Sequence, residues 1–92
     1  MDLRFQSSSE GEAHCIAHGV TEQEVREVLG APLEDWAGRE GARIALGQTE
    51  AGRYLQVIYV PDVGVASAFV VTAYPLGPVA LRALRRRLGD RS

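Results

Sequence analysis

Lysine is absent from the 92 residues: all ten basic side chains are arginine. Every cation is therefore a planar guanidinium, a fork that suits phosphate or carboxylate, although a genome biased toward arginine codons gives the same composition. Cysteine occurs once, at Cys15, which excludes an internal disulfide and a multi-thiolate metal site, and with them redox and zinc-ribbon functions. No apolar run approaches the ~20 residues that span a bilayer, so no membrane association is expected. The opening residues lack the basic end and apolar stretch of a secretion signal, and the expected location is the cytoplasm. There is no internal repeat and no low-complexity tract. With 46% hydrophobic and 24% charged residues, the chain is also far from the composition of a disordered protein. Ninety-two residues suffice for one domain with a modest core, and a second domain is excluded.

The net charge of −2 hides an uneven distribution. Residues 1–41 hold three Arg against nine Asp and Glu, and residues 42–92 hold seven Arg against three, which makes −6 followed by +4. A basic surface on an acidic protein can meet nucleic acid or an acidic partner, whereas the overall isoelectric point near 5.6 argues against tight non-specific nucleic-acid binding.

Leu3 to Gln6 suits a short opening strand, and the serines at 7–9 followed by Glu10 and Glu12 read as the start of a first helix running to His18. Gly19 suits the left-handed position that closes it. Val20-Thr21-Glu22-Gln23-Glu24-Val25 carries the strongest local signal: an N-cap Thr21, its capping-box Glu24 and a Val20–Val25 staple. Val25, Val28 and Leu29 share one face of this second helix, which should stop at Gly30 before Pro32. Leu33 to Gly41 reads as loop with room for a short strand around Trp36. Alternation over 42–49, the β-branched and aromatic run 53–60 and the stretch 65–74 then predict three consecutive antiparallel strands. Gly77 and Pro78 open a last helix with Leu81, Leu84 and Leu88 as its apolar stripe. The expected class is α+β: two N-terminal helices, a small antiparallel three-strand meander with room for a short N-terminal strand, and a C-terminal helix.

Read in order, His14 to Pro32 (HCIAHGVTEQEVREVLGAP), Arg43 to Tyr59 (RIALGQTEAGRYLQVIY), Val70 to Tyr74 (VVTAY) and the arginine-rich end resemble the BrnT-like toxins and their uncharacterised relatives in the RelE/ParE-like superfamily, over residues 12 to 88. The resemblance implies a RelE/ParE-like fold and a metal-independent ribonuclease of a type II toxin–antitoxin pair, without cofactor, acting on RNA and neutralised by a cognate antitoxin protein. It also implies that an arginine ending the last strand takes part in RNA cleavage. The matching place here reads Thr72-Ala73-Tyr74, with tyrosine instead of arginine, while Arg43 and Arg53 match the arginines that open the first two meander strands.

Metal-free RNA cleavage needs a group that helps the 2′-hydroxyl attack, a cation on the phosphate and an acid for the leaving oxygen. Arg43, Arg53 and Tyr74 are the catalytic candidates, as cation, cation and phenol. The same three also read as strand-edge ion pairs and a tyrosine half-buried over the core. Arg82, Arg85, Arg86 and Arg87 are candidates for binding RNA or an acidic antitoxin segment, or else form a solvated face that complements the helix dipole. His14 and His18, four apart with Glu10, have a spacing that metals use, but His18 beside Gly19 reads more simply as a helix-end residue, and no metal site is assigned. Cys15 reads as a buried structural thiol. Tyr54, Tyr59 and Phe69 read mainly as core, with exposed members able to stack bases, and Trp36 as the cover of a core edge or a contact surface. Two functions are compatible with these residues: an RNA-cleaving toxin homologue, and a non-catalytic interaction module that keeps the toxin fold. A homo-oligomer is compatible with both.

Overall fold

A computed structural model of the chain describes residues 2–5, 19–62 and 67–90. In chain order the elements are β1 (Asp2–Phe5), α1 (Glu22–Gly30), β2 (Glu34–Ala37), β3 (Arg43–Gln48), β4 (Tyr54–Pro61), β5 (Ser67–Pro75) and α2 (Pro78–Asp90). The strands form one sheet in the order β1-β5-β4-β3-β2. Its β2-β3-β4-β5 pairings are antiparallel and β1 lies parallel to β5.

This corrects the expected architecture. The sheet is mixed and five-stranded, not a three-strand antiparallel meander. Among the described residues a single helix, α1, precedes the meander, and it sits between β1 and β2, so the pattern of two N-terminal helices followed by a sheet is not the one these residues show. The first helix expected at 10–18, with His14, Cys15 and His18, lies outside the described residues. Two short strands lie where the sequence left room for them, and what the sequence did not give is their pairing: Asp2 pairs with the distant Ser67, parallel to β5, and Glu34–Ala37 pairs with β3 across the short 38–42 connection. Local periodicity carries no information about such pairings.

The elements themselves have local causes. Thr21 caps α1 by accepting the Glu24 N–H (3.1 Å), while the Glu24 carboxylate accepts the Thr21 N–H (3.0 Å), closing the capping box. Val20 and Val25, on either side of the cap, are both fully buried in the core. The β3–β4 hairpin turns at 49–52, where Gly52 takes φ 96° and donates its N–H to the Thr49 carbonyl (2.9 Å).

Strand alternation divides the sheet into two faces. One carries Leu3, Ala45, Leu55, Val57, Tyr59, Ala68, Val70 and Ala73 and receives Val25, Val28 and Leu29 of α1 as the main core. The other carries Leu46, Ile44, Ile58 and Tyr74; one end of it is covered by α2, whose Leu84 is fully buried while Leu81 and Leu88 are half-buried. No helix among the described residues is long and apolar enough to cross a membrane.

The approach of α1 to β3 is set by Gly47. A Cβ there would lie 2.9 Å from Val28 Cγ1, and Val28 is wholly enclosed. Gly47→Ala stiffens the unfolded chain, a gain of about 0.4–1 kcal/mol, but overpacks the helix–sheet contact at about 1–3 kcal/mol. The expected outcome is a lower urea midpoint; an unchanged or raised one would show that the contact is not tight.

Candidate functional site

Arg43 opens β3 and stands opposite Tyr59 on the α1-facing side of the sheet. Its Nε donates to Asp35 Oδ1 (2.7 Å) from the neighbouring β2, and the Tyr59 hydroxyl donates to the other oxygen of the same carboxylate. The Arg43 side chain remains about 40% exposed. Burial first, and then the Asp35 carboxylate beside it, push the Tyr59 phenol above its ordinary value, so Tyr59 stays protonated at neutral pH. Arg43 and the Tyr59 hydroxyl are both committed to the one Asp35 carboxylate.

Arg53 lies at the other end of the sheet. Thr49 fixes its backbone by accepting the Arg53 N–H on Oγ1 (3.1 Å). Its guanidinium reaches both oxygens of Glu24 (2.9 Å each) and the Gly19 carbonyl (3.1 Å). The Thr21 N–H, and Arg53 after it, hold the Glu24 carboxyl below its ordinary range against an opposing push from burial. Arg43 stands five residues along β3 from Gln48, the partner of Tyr54, so the two arginines are separated by roughly 17 Å or more at about 3.4 Å per residue. Tyr74, paired with Gln56, is on the opposite face, where its hydroxyl accepts from Gln56 Nε2 (2.7 Å). The three sequence candidates therefore occupy three separate places.

The arginines of α2 also divide. Arg87 grips Glu34 of β2 with Nε and Nη2 (2.8–3.1 Å), and that carboxylate side chain is only 7% exposed. The guanidinium of Arg85 lies 5.5 Å from the centre of the Tyr54 ring. Arg82 and Arg86, one turn apart and exposed, have no partner among the described residues.

Sequence reasoning missed Glu24 as an ion-pair partner and missed Asp35 and Glu34 altogether. A signal was present in the −6 and +4 halves: each of the four ion pairs among the described residues, Arg4–Asp62, Arg43–Asp35, Arg53–Glu24 and Arg87–Glu34, joins a residue of 1–41 to one of 42–92. An apolar hollow of about 340 Å³, lined by Gly38, Arg39, Ala42, Ile44 and Ile58, opens on the face away from α1 and includes none of the candidates. No cluster of metal-ligating side chains occurs among the described residues. Compared with family models, curated proteins and solved structures, the chain matches none.

Two predictions follow the ion pairs. Because the Glu24 value is lower folded than unfolded, its stabilisation is complete above the ordinary carboxylate value of about 4.3 and disappears as pH falls through the folded value. Glu24→Gln should lower the urea midpoint at neutral pH and flatten its decline as the pH falls below about 5. Among the α2 arginines, Arg87→Ala should lower the midpoint by removing the bidentate guanidinium from the enclosed Glu34 carboxylate, while Arg82→Ala and Arg86→Ala leave it unchanged within about 0.5 kcal/mol. Equal effects at all three positions would show that the Arg87–Glu34 pair does not form.

Proposed function

We propose that this chain is a BrnT-like protein acting as a non-catalytic interaction module, which binds an acidic segment of a protein partner through the outward side of α2. The observation that carries the reading is the dispersal of the cleavage candidates. Arg43 and Arg53 are each neutralised by a carboxylate at opposite ends of one face, and Tyr74 belongs to the other face. Transition-state stabilisation needs oriented donors converging on one phosphate, and losing one such donor costs about 100-fold to 1,000-fold in rate. Three groups spread over two faces supply no such convergence. Arg82 and Arg86 support the binding part of the reading, since a pair of unpartnered guanidiniums one turn apart suits carboxylates spaced along an acidic segment.

The same pair would also track an RNA backbone, which keeps the ribonuclease as a second reading. Induced expression without any antitoxin, followed by growth and total-RNA integrity, separates the two. The expected result is normal growth and intact RNA for the wild type and for Tyr74→Arg, because residue 74 does not share a face with Arg43 or Arg53. RNA cleavage by the wild type that Arg43→Ala abolishes without loss of fold would establish the enzyme instead.

A further inference from the structure

Among the described residues β2 is the outer strand on its side of the sheet, and the direction of its free backbone groups can be worked out. Thr49 N–H donates to the Arg53 carbonyl and Gly38 N–H to the Ala42 carbonyl (2.8 Å each). Since backbone groups alternate along a strand, β3 turns its odd-numbered residues to β4 and its even-numbered ones to β2. On β2, Glu34 and Trp36 therefore bond inward. The amides and carbonyls of Asp35 and Ala37 point away from the sheet, where no described strand meets them.

Proteins that remain monomeric blunt such an edge with free charge, proline or a very short strand, and of these β2 has only its four-residue length. Here both charges of the strand are tied inward, Glu34 to Arg87 and Asp35 to Arg43, and no proline lies within it. What the edge offers to solvent is apolar: Trp36 is 40% exposed and Leu33, just before it, 37%.

From this edge we infer that the chain forms a twofold dimer by antiparallel pairing of β2 with β2 of a second copy, Trp36 sitting on the axis. Two registers keep both the faces and the outward backbone groups matched within the strand. One sets Asp35 opposite Asp35 of the second copy, and like charges directly opposite are destabilising. The other sets Asp35 opposite Ala37 and Trp36 opposite Trp36, the latter at a non-hydrogen-bonded position where the side chains approach most closely. Charge selects the second. Diagonal to the incoming indole stands Gly38, which has no side chain and opens onto the apolar hollow over Ile44 and Ile58. The second copy's Trp36 is the aromatic group that fills it. The strand has only four residues, so the interface falls below about 1,200 Å² and the dimer is a weak, concentration-dependent one.

Trp36 is the sole tryptophan, so its emission reports this position alone. Sedimentation of the full chain from low-micromolar to near-millimolar concentration should show monomer giving way to dimer, with the emission maximum moving to the blue over the same range. Ala37→Pro removes an outward N–H that no β3 carbonyl uses; it should keep the circular dichroism and urea midpoint of the fold while remaining monomeric. In a Cys15→Ser background, Trp36→Cys should give a disulfide dimer on mild oxidation, because the paired Cα atoms lie about 4.5 Å apart, and Ala37→Cys should not. A chain that stays monomeric with unmoved emission would overturn the inference and leave the edge to a strand of another protein. A dimer that survives Ala37→Pro, or that cross-links through position 37 and not 36, would overturn it equally.

Discussion

The close approach of α1 to the sheet is the constraint on which the main core depends. Gly47 has no Cβ, and the row beside it, Ala45–Val57–Ala73, presents two of the smallest side chains to the helix. That shallow floor lets Val25 and Val28 reach complete enclosure, each worth about 1.5–3 kcal/mol relative to exposure. The capping box and the Arg53–Glu24 pair then fix where α1 starts, because one carboxylate closes the helix end and holds the sheet's arginine. Helix register, helix depth and the position of Arg53 are thus coupled through Glu24 and Gly47.

The charge pattern takes on a different meaning in the folded chain. An acidic first part and a basic second part suggest a surface waiting for a charged partner, yet the four ion pairs among the described residues all join the two parts to each other. Surface pairs of this kind contribute little stability individually. Their consequence is positional: Arg43, Arg53 and Arg87 are oriented toward their own carboxylates, which leaves Arg82 and Arg86 as the exposed arginines of the last helix with no partner among the described residues. Four arginines that look alike in the sequence have three different environments, an enclosed carboxylate, an aromatic face and solvent.

The two faces of the sheet and the length of β3 keep apart the three residues expected from the sequence to act together on RNA. Arg43 and Arg53 both face α1, but the length of β3 separates them; Tyr74 sits near the middle of the sheet on the far side. Side-chain alternation with period two assigns a residue to a face only once the register is known, and the residue-by-residue match along the chain contains no register. The bulge between Ile58 and Tyr59 shifts the pairing with β5 by one residue, which sets Tyr59 against Val70 while Ile58 stays against Thr72.

The sequence by itself determined whatever depends on neighbours in the chain: the Thr21–Glu24 cap of α1, the stop at Gly30, the hairpin turn ending at Gly52, the three meander strands and the start of α2 at Pro78. Each follows from steric preference or hydrogen bonding within a few residues, which a short window contains. Only the tertiary structure decided that β1 joins β5 in parallel, that Glu34–Ala37 becomes an edge strand, that Gly47 lies under Val28 and that Arg43, Arg53 and Arg87 find carboxylates of the first forty-one residues. Those outcomes depend on which backbone groups and which charges are still unpartnered once the central strands have paired, and distance in space, not order in the chain, settles that.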